Sequence, residues 1–388
     1  MFIDIPQDTH DWTLTPVLEF RERYERRLDA DFDEATNDNR TSFYTRIRAG
    51  ANFQYSPKLS ARFIYQHLYD NHKFAAFDDN GQHSDLLEGF VEMSENSGKL
   101  TLGRQKISKG DQRLIGSAEW LNNSRAWDGV RYQKGDWDWF LGHLAVNIVE
   151  NSRVVVGLAS NKNRFGETML VFKNDDLPAA STSNWTLDHK WTSSHDKWVY
   201  NAEAAIQFGR AGSKDTFAWA GTGKAAYHLR ENTTAYIEAN VASGGNGASH
   251  SALFDQLYPT NHTFYGIMDM QGWRNIEQLS LGVDFSLLKG VNSRLEFSKF
   301  WLYDKTDGWY GELGGLNKRT GGLFIDPTGA SGNDVGDEID FSSTYTLNSH
   351  HSFSAGVGLF RPGTFVKSFY GGASQNQVWG YAMYSYRF

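Results

Sequence analysis

The last eleven residues, Val378-Trp379-Gly380-Tyr381-Ala382-Met383-Tyr384-Ser385-Tyr386-Arg387-Phe388, decide which solvent the chain is built for. On an extended backbone Val378, Gly380, Ala382, Tyr384, Tyr386 and Phe388 share one face, and Trp379, Tyr381, Met383, Ser385 and Arg387 share the other. Neither face carries a charge before Arg387. A tilted strand of about ten residues crosses a bilayer core, with aromatic side chains gathering where it meets the headgroups. One such strand suits a soluble protein as well, so the reading depends on whether the pattern recurs.

It recurs along the whole chain. Phe43, Thr45, Ile47, Ala49, Ala51, Phe53 and Tyr55 oppose Tyr44, Arg46, Arg48, Gly50, Asn52 and Gln54, and Trp198, Tyr200, Ala202, Ala204, Ile206 and Phe208 oppose Asn201, Glu203 and Gln207. Leu279, Leu281, Val283, Phe285 and Leu287 alternate with Gln278, Ser280, Asp284 and Ser286, and Ile339, Phe341, Tyr345 and Leu347 with Glu338, Asp340, Thr344 and Thr346. One face is apolar and the other polar or charged, with the period of two that belongs to strands.

Composition agrees. The 388 residues include 13 Trp, 18 Tyr, 26 Phe and 38 Gly, at a mean hydropathy of only -0.54. Aromatic side chains with glycine and many polar residues fit a barrel with one lipid face and one wet face. No run of about 18 apolar residues is present, which excludes a membrane-spanning helix. Cysteine is absent, so no disulfide closes the fold. With 46 acidic against 38 basic side chains no basic face emerges, and nucleic acid is not expected as a partner. Met1 is not followed by a basic segment and an apolar core, so the chain reads as a mature form without its export signal.

The connections alternate in length. Tight turns read at Ser56–Lys58, Asn96–Gly98, Lys134–Asp136, Ser193–His195, Arg230–Asn232, Lys289-Gly290 and Asn348–His350. Longer polar connections read at about 29–40, 70–85, 106–125, 174–184, 243–274, 304–336 and 361–377. The expectation is one domain over residues 1–388, an all-β transmembrane antiparallel up-and-down barrel of about 18 strands, with both termini on the short-turn, periplasmic side. Residues 149–173 hold two short strands near Val154–Leu158 and Met169–Phe172. Leu14, Pro16, Leu18 and Phe20 alternate before Glu19–Arg27, which reads as a strand running out into a charged loop, with Glu22 and Arg26 four apart. Lys299 falls on the lipid face in the outer half, where its stem can snorkel. The stretch Gly244–Trp273 is long enough to fold inward or cap the mouth.

A barrel of this size leaves an aqueous channel unless loops fill it. By parity Arg46, Arg48, Arg62, Arg131 and Arg294 face inward, as do Glu203, Glu238, Glu296, Glu338 and Asp340. A row of guanidinium forks matches carboxylates and would select anions, whereas arginines paired with the inward acids would only stiffen the wall. Asp29, Asp31, Asp33, Asp38 and Asn39 offer oxygen ligands for a loop calcium, but without the spacing of an EF-hand a solvated acidic loop is the plainer reading. No other cofactor is indicated.

Gly103-Arg104-Gln105, Gly110-Asp111, Arg113, Trp120, Arg125 and Asp128-Gly129-Val130 resemble the pattern of the alginate export family of outer-membrane porins. So does Phe254–His262, continuing through Tyr265-Gly266, Asp269 and Gly272–Ile276. The terminal Phe388 likewise resembles the ends of outer-membrane barrels, which barrel-assembly machinery reads. The resemblance implies a monomeric barrel set in outer-membrane lipid and lipopolysaccharide, with an arginine-rich constriction conducting an acidic polysaccharide or its oligomers, alginate above all. It carries Arg104, Arg113, Arg125 and Arg131 over as pore arginines with Asp111 and Asp128 as ordering partners. Parity, however, sets Arg104 beside Leu100 and Leu102 on the lipid face unless a bulge re-aims it. A general porin for small anionic or sugar solutes is the alternative. A hydrolase built on His67, His72, His83, His228, His250 or His262, with Ser249, Ser251 and Asp255 near His250, lacks a nucleophile elbow or zinc-ligand spacing. A surface-binding barrel is a third class.

Overall fold

The computed structural model describes residues 12–74, 78–146, 154–176, 181–245, 247, 249–319 and 321–388, the side chains of 73–80 excepted. The spanning strands are β1 (Thr13–Leu28), β2 (Arg40–Ser56), β3 (Leu59–Phe74), β4 (Asp78–Glu95), β5 (Gly98–Gln105), β6 (Ala126–Lys134), β7 (Trp137–Val146), β8 (Val154–Asn163) and β9 (Gly166–Asp175). They continue as β10 (Thr182–His195), β11 (Trp198–Ala211), β12 (Lys214–Arg230), β13 (Thr233–Ala242), β14 (Ile276–Leu288), β15 (Val291–Trp301), β16 (Asp334–Thr346), β17 (His351–Pro362) and β18 (Gln377–Arg387). Each pairs antiparallel with the next, and β18 pairs with β1 from Glu19↔Arg387 to Leu28↔Val378. The 18-stranded barrel is therefore closed and leaves no edge strand to template aggregation. The dipeptide His250–Ser251 joins the sheet as a parallel addition beside Asp215–Thr216.

Short turns gather on one rim. They fall at 57–58, 96–97, 135–136, 164–165, 196–197, 231–232, 289–290 and 347–350. Gly135 (φ 55°) and Gly290 (φ 78°) take the left-handed backbone that tight hairpins need. Most of the longer connections lie on the other rim. The turn expected at Ser193–His195 forms at 196–197 instead, because β10 stays paired as far as His195↔Trp198. The loop expected over 70–85 is mostly strand, with β3 paired to β4 out to Lys73↔Asp78. Nor does the chain leave the sheet at Glu19: β1 holds register with β2 from Thr13↔Gln54 to Arg27↔Arg40. Glu22 and Arg26 interrupt the outward row of Phe20, Tyr24 and Leu28, which is why the charges read as a loop. In fact the alternation persists, with Glu19, Arg21, Arg23, Glu25 and Arg27 inward and Glu22 and Arg26 outward. The two strands expected inside 149–173 are β8 and β9, both longer than read.

The outward face is apolar at mid-height, where Leu141 is 60% exposed and Leu281 52%. Toward the short-turn rim aromatic rings stack along it, Trp137 on Trp139 at 5.5 Å and Trp198 on Tyr200 at 5.9 Å between centroids. Lys299 does lie outward near the long-loop rim, paired with Asp334. The buried core is inside the barrel. Loops from the long-loop rim turn inward, so that Phe32, Trp309, Phe324 and Phe360 pack together with centroids 5.4–6.1 Å apart, and Trp273, Tyr265 and Phe254 form a second cluster.

Candidate functional site

A loop inside a barrel brings backbone carbonyls away from water, and each needs a donor. For the 106–125 loop, arginines of β1 and β2 supply them. Arg21 Nη1 donates to the Glu119 carbonyl at 2.7 Å and Nη2 to Leu121 O at 2.9 Å. Arg23 donates to Trp120 O and lies 4.0 Å over the Trp120 ring. Arg46 Nη1 reaches Glu119 O at 3.1 Å and Leu121 O at 3.2 Å, while its Nε bonds Glu19 at 2.7 Å. Arg48 Nη1 takes the Glu119 carboxylate at 2.8 Å and its Nη2 the Ser124 hydroxyl at 2.5 Å. Arg46 and Arg48 were expected to line open lumen. They do point inward, but at 1% and 4% exposure they are covered by the loop they hold.

The far side of the same loop is fastened as tightly. Buried Arg113 bonds Glu238 at 2.8 Å, Asn240 at 3.0 Å and the Tyr265 hydroxyl at 3.2 Å, and lies 4.0 Å over the Phe264 ring. Arg125 donates to the carbonyls of Gly116 (2.7 Å), Tyr258 (2.6 Å) and Pro259 (3.2 Å), tying this loop to the 243–275 connection. Burial pushes its pKa down to about 10, which leaves it charged at neutral pH. Asp111 pairs with Lys190 at 2.9 Å and lies 3.9 Å from Arg113. Thus Arg113 and Arg125, expected as pore arginines, are buried clasps rather than accessible pore charges.

The 243–275 connection folds inward, and its amides of Ile267 and Met268 donate to Asp340 (3.2 Å) and Glu338 (3.0 Å) of β16. Gly266 sits against Glu338 so closely that a Cβ there would stand 2.3 Å from Oε1. His262 stacks flat on Trp120 at 3.6 Å, and both bond Asp269, each at 2.9 Å. Burial, with Arg23 nearby, lowers the His262 pKa to about 3. Burial and the Glu25 carboxylate raise Asp269 to about 7. The His262–Asp269 contact is therefore a hydrogen bond of a neutral imidazole, not an ion pair.

The remaining candidates divide by face. Arg62 bonds Glu88 at 3.1 Å and Asn52 at 2.6 Å, Arg131 bonds Asp138 at 2.9 Å, and Arg294 bonds Asp284 at 2.6 Å, all inside and partly exposed. Arg104 and Asp128 are outside. Both strands run unbulged through the Arg104↔Asp128 pair, which continues the exposed row of Leu102 and Val130, and Arg104 also takes Asp85 at 3.0 Å. They form an ion pair on the outer wall and line no pore. The acidic 29–39 loop spends its carboxylates on itself: Asp38 accepts from Ala30 N at 2.9 Å and Asp31 from Asp33 N at 3.0 Å. Among the described residues no group of three or more His, Asp or Glu could hold a metal. His250 contacts Ser249 at 2.8 Å, whereas Asp255 is taken by Lys173 at 2.6 Å, so the hydrolase residues do not assemble.

Water-accessible space survives on both sides of the loops. A cavity of about 1080 Å³ opens near the short-turn rim, lined by Lys109, Arg131, Gln133, Lys162 and Arg164 among others. One of about 580 Å³ lies toward the long-loop rim against Arg23, Arg27, Tyr44 and Trp379. Arg21, Arg23, Arg27, Lys106 and Glu119 escaped the sequence reading. Parity carried one strand further would have found the first three, while Lys106 and Glu119 sit in a loop with no period to read.

A family model described as alginate export matches residues 13–173 and 174–380. No curated protein matches the chain. Among solved structures, Pseudomonas aeruginosa OccK5 (OpdH) is similar at 11% identity and a TM-score of 0.64, over 97% of this chain and 98% of that one. OpdQ from the same organism gives 12% and 0.63 over 97% and 98%, and the outer membrane protein OprD 13% and 0.60 over 97% and 93%. At such identities the likeness is one of fold.

Proposed function

Because the chain belongs to the alginate export family and is a channel of the bacterial outer membrane, not an enzyme, we propose that it conducts acidic polysaccharide, alginate or its oligomers, with a preference for anions. One observation carries the reading: basic side chains gather on one arc of the lumen, most of them paired with acids there, while carboxylates predominate on the opposite arc beside Lys190, Lys224 and Arg294. Arg21, Arg23, Arg46, Arg48, Arg62 and Arg131 project from β1, β2, β3 and β6, with Lys106 and Lys109 of the inward loop beside them. On the opposite arc Asp188, Glu203, Glu238, Glu296, Glu338 and Asp340 project from β10, β11, β13, β15 and β16. A polyanion meets the part-exposed Arg62, Arg131 and Lys106 on the first arc and is repelled by the second, in a confined space where such fields act strongly.

The channel works as a monomer in lipopolysaccharide-bearing lipid, and its direction of transport is set by the solute gradient. Planar-bilayer recording across a KCl gradient tests the preference. A reversal potential on the chloride side supports it; a potassium-selective or unselective pore would remove the acidic-polymer reading and leave a general porin.

A further inference from the structure

Arg46 and Arg48 are buried beneath one carboxylate that is not. The Glu119 side chain is 35% exposed, against 1% for Arg46 and 4% for Arg48, and it accepts from Arg48 at 2.8 Å and Lys106 at 2.8 Å with Arg46 at 3.4 Å. Their other acidic partner, Glu19, is only 13% exposed. From this carboxylate a file of alternating charge runs toward the short-turn, periplasmic rim. Lys106 lies 3.9 Å from Glu88, and Glu88 lies 3.1 Å from Arg62, four residues nearer the 57–58 turn than Gln66, the register partner of Arg48. Lys106 and Arg62 are 27% and 28% exposed. A solute entering here therefore meets Glu119 before it meets any buried arginine.

We propose that Glu119 is a resident stand-in for the solute's carboxylate: Arg46, Arg48 and Lys106 form a carboxylate-binding site that a uronate gains by displacing Glu119 and leaves by passing to Lys106 and Arg62. The inference rests on the acidic-polymer reading and adds the residue that sets its selectivity. Physical chemistry favours exchange over simple binding. Glu19 holds Arg46 at 2.5 Å but lies 3.6 Å from Arg48, so between solutes the buried Arg48 would carry a desolvation cost that a tethered carboxylate removes while staying able to swing away. Burial alone would raise the Glu119 pKa, but Arg48, Lys106 and Arg46 hold it well below the usual range, so it is present as the anion that exchange requires. The loop need not open for this, because its backbone is held separately by Arg21, Arg23 and Arg46 through the carbonyls of residues 119–121.

The test measures block of single-channel current by D-glucuronate, with glucose as the neutral control. Glu119→Gln keeps the side chain's shape and removes the competing charge, so the half-blocking glucuronate concentration falls about tenfold, with glucose unaffected. Glu119→Asp withdraws the carboxylate from Arg48 and Lys106 and lowers it by a smaller factor. Adding Arg48→Gln to Glu119→Gln returns the block toward wild type. Should the Gln variant unseat the loop, seen as a jump in conductance, the Asp variant decides. Block that is unchanged or weaker in the deciding variant overturns the inference. A wild-type channel without anion preference fails the parent reading instead, whatever the variants do.

Discussion

Replacing Arg113 with methionine separates a clasp from a pore charge. The substitution keeps a stem of similar length but removes the guanidinium that lies over Phe264 and holds Glu238 at 2.8 Å, Asn240 at 3.0 Å and Tyr265 at 3.2 Å. Breaking a buried pair from one side costs about 3–5 kcal/mol. Glu238 keeps Lys224 at 3.4 Å, which puts the loss at the lower end, about 3 kcal/mol. The barrel's backbone ladder is untouched, so the cost falls on docking of the 106–125 loop. At about 1.4 kcal/mol per decade, the undocked fraction rises roughly a hundredfold. Single-channel recording should show frequent large-conductance openings, and amide exchange in residues 107–118 should quicken while that of β1–β3 does not. A shifted reversal potential with unchanged conductance and exchange would refute the clasp and restore Arg113 as a lumen charge.

Two further substitutions follow from the same geometry. Arg104→Met, on the outer wall, leaves ion selectivity unchanged and alters stability by no more than about 1 kcal/mol, read from unfolding in detergent; a selectivity change would place it in the lumen after all. In the docked 243–275 connection burial and Glu25 raise the Asp269 pKa to about 7, and the buried Glu312 beside it is raised too, so this carboxyl pair keeps protons well above the usual carboxylate range. A free aspartate loses its proton near pH ~4, so docking is favoured in acid and weakens as pH rises through that window, then levels off. Amide exchange at Tyr265–Trp273 should quicken from pH 5 to 7 beyond the intrinsic rate, and Asp269→Asn should flatten the effect; equal slopes would show that Asp269 is not the group that sets the pH dependence.

Lipid contact explains how much of this was legible. A bilayer demands an apolar side chain at every second position, so Leu279–Leu287 and Val378–Phe388 announce their faces, and parity alone set Arg104 outside. That same rule misled at Glu19–Arg27, where Glu22 and Arg26 interrupt the outward row of Phe20, Tyr24 and Leu28. The lumen was harder because its partners are remote and mute. Arg21 bonds a carbonyl 98 residues away, and Arg113 meets Glu238 across 125. A backbone carbonyl has no signature in sequence, so an arginine that clasps a loop reads like one that awaits a substrate. The motif residues lie in and beside the 106–125 loop, and the roles of its arginines depended on where that loop lay.

Liposome swelling with uronate oligomers and neutral oligosaccharides of equal length tests the acidic-polymer account most directly. The charge arrangement predicts faster entry of the uronates, with the advantage shrinking as salt is raised. Equal rates, or faster entry of the neutral sugars, would contradict it.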